Sequence, residues 1–90
     1  MGKKGLRLQV YGRVQGVGFR YYTQKKAQEL EISGFVRNRP DGSVYIEAEG
    51  EPGALALFAD WCEVGPDWAH VRRVDKQEIP LQGYEGFEIR

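Results

Sequence analysis

Two strand-then-helix units with a hairpin between them constrain the fold of this 90-residue chain more than any other feature. Leu6, Leu8 and Val10 alternate with Arg7, Gln9 and Tyr11, the pattern of a half-buried strand. After a glycine-rich loop, residues 20 to about 32 read as a helix, with Phe19, Thr23, Ala27 and Leu30 on one side. Ser33-Gly34 is expected to end it, glycine being the usual stop. Residues 34–50 read as a hairpin turning at Arg39-Pro40-Asp41-Gly42, with Val44, Ile46 and Ala48 on one face of its second strand. Pro52 suits a first helical turn, and Leu55, Phe58, Ala59 and Cys62 then recur at helical spacing. Gly65-Pro66 ends that helix. Val71 to Ile79 forms a strand whose alternation breaks at Arg72-Arg73, as a bulge would break it. Phe87 and Ile89 close the chain with a short extra strand. The order βαββαβ plus one strand predicts an α+β, ferredoxin-like sandwich, an antiparallel sheet with two helices on one face.

The loop between the first strand and the first helix carries the chemistry. Gly12 to Arg20 reads GRVQGVGFR. Such a loop can aim several backbone N–H groups at one point, and the helix N-terminus adds free N–H groups and partial positive charge. Arg20 adds a permanent charge in a planar fork that matches two phosphate oxygens. Together they read as a cradle for a small dianion such as a phosphoryl group. Taken alone, the same glycines also read as turn residues supplying positive φ, with Arg20 solvated. The nucleotide pattern GxxxxGK[ST] is absent, and GxGxxG fails because Tyr21 stands where the third glycine belongs. Val14 stands where a C-x5-R phosphatase loop needs its cysteine, so a cysteinyl-phosphate route is excluded.

Asn38 lies near the end of the hairpin's first strand, where capping is the commonest role for that residue type. Loop and hairpin together resemble the acylphosphatase family. Its first signature, G-x-V-Q-G-V-x-[FY]-R, is matched by Gly12, Val14, Gln15, Gly16, Val17, Phe19 and Arg20. Its second, G-[FYW]-[AVC]-[KRQAM]-N-x3-G-x-V-x5-G, is matched by Gly34, Phe35, Val36, Arg37, Asn38, Gly42, Val44 and Gly50. The resemblance runs from about residue 6 to residue 90 and includes Gly65-Pro66 and Ala69-His70-Val71. It implies one acylphosphatase-like domain over residues 1–90, with residues 1–5 a frayed end.

The resemblance also implies a hydrolase that cleaves the carboxyl-phosphate anhydride of an acyl phosphate to carboxylate and inorganic phosphate. Arg20 would bind the phosphate oxygens. The N–H groups of Gln15, Gly16, Val17, Gly18, Phe19 and Arg20 would complete the cradle. Asn38 would hold the attacking water by its amide. Because a carboxylate is a good leaving group, positioning the water and neutralising phosphoryl charge would suffice. The substrate's own phosphate is the expected proton acceptor. No cofactor is expected, and one histidine, one cysteine and scattered acids make a metal site unexpected. A non-catalytic ferredoxin-like module that binds a phosphorylated metabolite is the alternative, and Asn38 favours the enzyme.

Charge narrows the partners. Thirteen basic and thirteen acidic residues cancel, which argues against a nucleic-acid or membrane-surface binder. An RNA-binding sheet would need an aromatic run on a central strand, whereas Ser43 to Ala48 offers only Tyr45. Arg13, Arg20, Arg37 and Arg39 fall in or beside the two signatures and suit a small anion. The lone Cys62 lies on a helix's apolar stripe and reads as core, in keeping with a reducing compartment. With no signal peptide and no apolar run long enough to span a bilayer, a cytoplasmic monomer is expected. His70 reads as a strand-start residue, Trp61 and Trp68 as packing residues. Tyr21 and Tyr22 either wall the site or pack on the sheet.

Overall fold

The computed structural model describes residues 2–90. Strand β1 (Lys4–Arg13) leads through the glycine loop to helix α1 (Phe19–Glu29). The hairpin strands β2 (Ser33–Asn38) and β3 (Val44–Gly50) follow, then helix α2 (Pro52–Cys62), β4 (His70–Ile79) and β5 (Phe87–Ile89). The sheet order is β4-β1-β3-β2-β5. β1 pairs antiparallel with β3 and β4, and β2 pairs antiparallel with β3. The ends of β1 and β2 are therefore separated by a single strand, which lets the glycine loop and the end of β2 meet.

Alternation places Leu8, Val10, Val36, Val44, Ile46 and Ala48 on the helix-covered face, all with no exposed surface. α2 buries Leu55, Phe58, Ala59 and Cys62, the residues its spacing predicted, and α1 buries Phe19, Thr23 and Ala27, while Leu30, the fourth expected there, is its half-buried C-cap. Each Val, Leu, Ile or Phe side chain among them contributes roughly 1.5–3 kcal/mol when fully buried. Phe58 meets Phe87 of β5 edge-on at 6.0 Å, so the last strand is tied into the same core. Burial around Cys62 pushes its thiol far above the usual range, as expected of a packing residue.

Several expectations are corrected. The sheet is not wholly antiparallel, since β5 runs parallel to β2. β4 ends beside Gly5, at one end of the sheet. A chain that crosses from there to the opposite edge re-enters running alongside β2. α1 stops at Glu29, and Glu31 with φ +56° makes the left-handed turn that glycine was expected to make. Gly34 instead lies inside β2 at φ +143°, where a Cβ would overlap the Glu47 carbonyl of β3. The strand begins at Lys4, inside the segment expected to fray, because Lys4 pairs with Gly50 and Gly5 with Ile79. Trp68 is 76% exposed and is no core residue; Ala69 beside it takes the buried position. The break at Arg72-Arg73 is a bulge. Tyr11 pairs with Arg73 and Gly12 with Val71, leaving Arg72 unpaired in the register.

Candidate active site

Gly16 and Gly18 hold φ of +74° and +81°, the left-handed region that side chains avoid. Gly18 is the N-cap of α1. With it in that conformation the helix starts abruptly, and its first intrahelical bond runs from Tyr22 N–H to the Gly18 carbonyl at 3.1 Å. The N–H groups of Phe19, Arg20 and Tyr21 therefore precede any i−4 acceptor. No acidic side chain sits in that first turn, which leaves its partial positive charge uncompensated.

The hairpin turn is fixed by a chain of polar contacts. Arg39 N–H donates to the Ser43 carbonyl at 2.9 Å, and Gly42 N–H to the Arg39 carbonyl at 3.1 Å. Asp41 accepts from the Ser43 N–H at 2.9 Å and hydroxyl at 2.6 Å. The Ser43 hydroxyl and then its N–H hold the Asp41 carboxyl below the usual carboxylate range. Gln15 then joins the two segments. Its side-chain Nε2 donates to the Arg39 carbonyl at 2.7 Å and the Ser43 carbonyl at 2.8 Å. That tie binds the glycine loop to the turn just after Asn38.

The result is a cleft of about 210 Å³ that Arg20 and Asn38 both line, with Val14, Gly16, Gly18, Phe19, Tyr21 and Ile89. Among the described residues, none is a hydrogen-bond partner to the buried Asn38 Oδ1. Arg20 Nη1 donates to the Arg90 carbonyl at 3.4 Å. The structure thus brings Arg20, Asn38 and the loop glycines together.

It does not bring in the other arginines. The guanidinium groups of Arg37 and Arg39 lie 5.4 Å and 4.3 Å from the Tyr45 ring centroid, on the sheet face opposite the helices. Arg13 is exposed at the end of β1. Of the two tyrosines, Tyr21 walls this cleft, and Tyr22 lines a separate depression with Trp61 and Trp68. Neither packs on the sheet; each is about half exposed. His70 starts β4 and is exposed. Among the described residues, no three His, Cys, Asp or Glu side chains are grouped as metal ligands. Two contributors escaped the sequence reading. The Gln15 side chain was credited only with its backbone N–H, and Ile89 was read only as a strand residue.

Comparison with known proteins gives the arrangement a family. The acylphosphatase sequence profile matches residues 6–89. An acylphosphatase of a Nocardioides species is 51% identical over 81 residues, which cover 90% of this chain and 82% of that one. The crystal structure of acylphosphatase from Bacillus subtilis gives a TM-score of 0.94 at 40% identity, covering 97% of this chain and 98% of that one. An acylphosphatase structure from Coxiella burnetii gives 0.95 at 36% identity, covering 98% and 93%. With both signatures folded into one cleft and relatives this similar over nearly their whole length, the chain belongs to the acylphosphatase family and is an acyl phosphate hydrolase.

Proposed function

We propose that the cleft holds the phosphoryl group of an acyl phosphate against the N–H groups of Gln15 to Arg20 and the Arg20 guanidinium, while Asn38 holds the attacking water. One observation carries this reading. Asn38 Oδ1 is a buried acceptor without a protein donor, in the same cleft as the only charged residue that lines it. A buried carbonyl left unpaired costs about 1–3 kcal/mol, and a water O–H directed into the cleft satisfies it.

The water oxygen attacks phosphorus as the bond from phosphorus to the acyl oxygen breaks. The carboxylate leaves with that electron pair, and the water's proton passes to a phosphoryl oxygen of the substrate. Arg20 and the loop N–H groups meet the charge that spreads over the phosphoryl oxygens. Cys62 is buried in the core and, among the described residues, no Cys, Ser, Thr, His, Asp or Glu side chain lines the cleft, which supports direct attack by water over a phosphoenzyme. In this reading residues 1–90 work as one domain, as a cytoplasmic monomer, and without metal, nucleic acid or membrane.

Hydrolysis in oxygen-18 water tests it. The label is expected in phosphate and not in the carboxylate, with activity retained in EDTA and no phosphoprotein trapped on rapid quenching. Label in the carboxylate means attack at carbon. A trapped phosphoprotein, or EDTA inhibition reversed by a divalent ion, overturns the mechanism.

A further inference from the structure

We propose that Tyr21 and Ile89 form an apolar mouth that grips the acyl group, so that this enzyme favours acyl phosphates with butyryl-sized or larger apolar acyl groups over acetyl phosphate. The inference rests on the reading that the phosphoryl group sits at Arg20. With the phosphoryl oxygens facing Arg20 and the loop N–H groups, the acyl group is the part of the substrate left to meet the remaining walls. Those walls are apolar: Val14, Phe19, Tyr21 and Ile89. Arg20 is the only charged residue among the lining residues, and it is taken by the phosphoryl group.

Val14 and Phe19 are each 1% exposed and belong to the core. Tyr21 and Ile89 do not. Tyr21 is 53% exposed and Ile89 41% exposed. They come from separate elements, the first turn of α1 and the end of β5. Tyr21 meets Tyr22 edge-on at 5.0 Å, and Lys25 Nζ lies 5.6 Å from its ring centroid, so neighbours on its own helix steady the ring. Ile89 is held by its backbone, which pairs with Val36, and by the next residue, whose N–H donates to the Val36 carbonyl at 2.8 Å. Two large apolar side chains whose surface the fold leaves in water gain by covering an apolar ligand. The cleft of about 210 Å³ is open to solvent on the Tyr21 and Ile89 side, so an acyl group can extend past the phosphoryl site along these two side chains.

The test is KM for acetyl, butyryl and benzoyl phosphate, measured on wild type, Tyr21→Ala, Ile89→Ala and the double variant. Acetate and butyrate are leaving groups of nearly equal basicity, so a difference between their phosphates reports binding of the chain. Wild type is expected to show a KM for butyryl phosphate about fivefold below that for acetyl phosphate, the scale for partial burial of two methylene groups. Benzoyl phosphate is expected lower still. In the double variant this spread collapses, while KM for acetyl phosphate and the inhibition constant of inorganic phosphate move less than about twofold, those contacts being untouched. Equal KM values for acetyl and butyryl phosphate in wild type, or a double variant that keeps the spread, overturn the proposal and leave the cradle standing. The wild-type series decides the point even if a variant folds poorly. A wild type that turns over none of the three and does not bind phosphate overturns the cradle and this proposal with it.

Discussion

Arg20 stands at the start of α1 with one protein acceptor, the Arg90 carbonyl at 3.4 Å, which leaves most of its donors for a ligand. Lysine there keeps the charge and loses the two-pronged geometry. In Arg20→Lys, inorganic phosphate as a competitive inhibitor should bind at least roughly tenfold more weakly, as expected when a forked charge-assisted contact is lost. The melting temperature should hold, because the guanidinium supports only a long, exposed contact. Unchanged phosphate affinity in this variant would remove Arg20 from the cradle. Asn38 should behave in the opposite way. Its Oδ1 has no protein partner, so truncation takes nothing from the fold on that side and takes the water's anchor from the reaction. Asn38→Ala should lower kcat by about 10²–10³-fold, the scale for losing one preorganised polar contact, with little change in phosphate inhibition. A large loss of phosphate affinity with modest loss of kcat would reverse the two assignments. A fall of several degrees in melting temperature with near-normal kcat would return Asn38 to strand-end capping.

Between elements, the site depends on one side chain joining two loops that are far apart in sequence. Gln15 Nε2 reaches the carbonyls of Arg39 and Ser43, and those bonds set the glycine loop against the turn that follows Asn38. Gln15→Leu keeps the bulk and leaves both part-buried carbonyls without that donor. Stability should fall by about 1–3 kcal/mol in chemical denaturation. Turnover should fall more than KM rises, since the distance between Arg20 and Asn38 is what loosens. Lost stability with unaltered kinetics would show that the tie serves the fold alone. No periodicity announces such a contact, because its partners lie 24 and 28 residues away. What the sequence did make legible was local. Alternation revealed β1 and β3, helical spacing revealed α2 with all four of its buried residues, and Asp41-Gly42 marked the turn. That Arg20 and Asn38 serve one site was legible as what two matched signatures imply, and the strand order that leaves one strand between their elements came from the structure. The direction of β5 did not follow. Three residues carry no signal of parallel or antiparallel pairing, and so Ile89 was not placed in the cleft. Trp68 misled for a related reason, since a large apolar side chain beside a turn has no pattern to say which neighbour is buried.

Across the whole molecule, the cleft is supported from the sheet face opposite the helices. The chain between β4 and β5 crosses that face, and Glu49, only 3% exposed, holds it by accepting N–H donors from Gln82, Gly83 and Tyr84. Glu47 accepts the Tyr84 hydroxyl on one carboxylate oxygen and the Tyr45 hydroxyl on the other, each at 2.6 Å. Phe35 packs edge-on against Tyr84 at 5.7 Å, and Arg90 lies over Phe35 at 4.2 Å. The segment so anchored delivers β5, and with it Ile89 to the cleft and the Arg90 carbonyl to Arg20. Both tyrosines titrate above their ordinary range. Burial is the first cause and the Glu47 carboxylate the second, and together they push Tyr84 up to about 12. A phenol in the unfolded chain ionises near pH 10. Between that pH and the folded value the unfolded chain releases its protons while the folded one keeps them, so stability falls as pH rises. This contribution is fully present below pH 10 and is lost on the way to about 12. Melting temperature should therefore decline between about pH 10 and 12, and less steeply in Tyr84→Phe, which has no proton to lose. At neutral pH the Tyr84→Phe variant should be less stable by about 1 kcal/mol, the cost of one hydrogen bond, and the two melting curves should converge as the wild-type phenol ionises. Parallel curves across that range would show that the alkaline loss comes from elsewhere and that the Tyr84–Glu47 pair does not anchor the crossing segment.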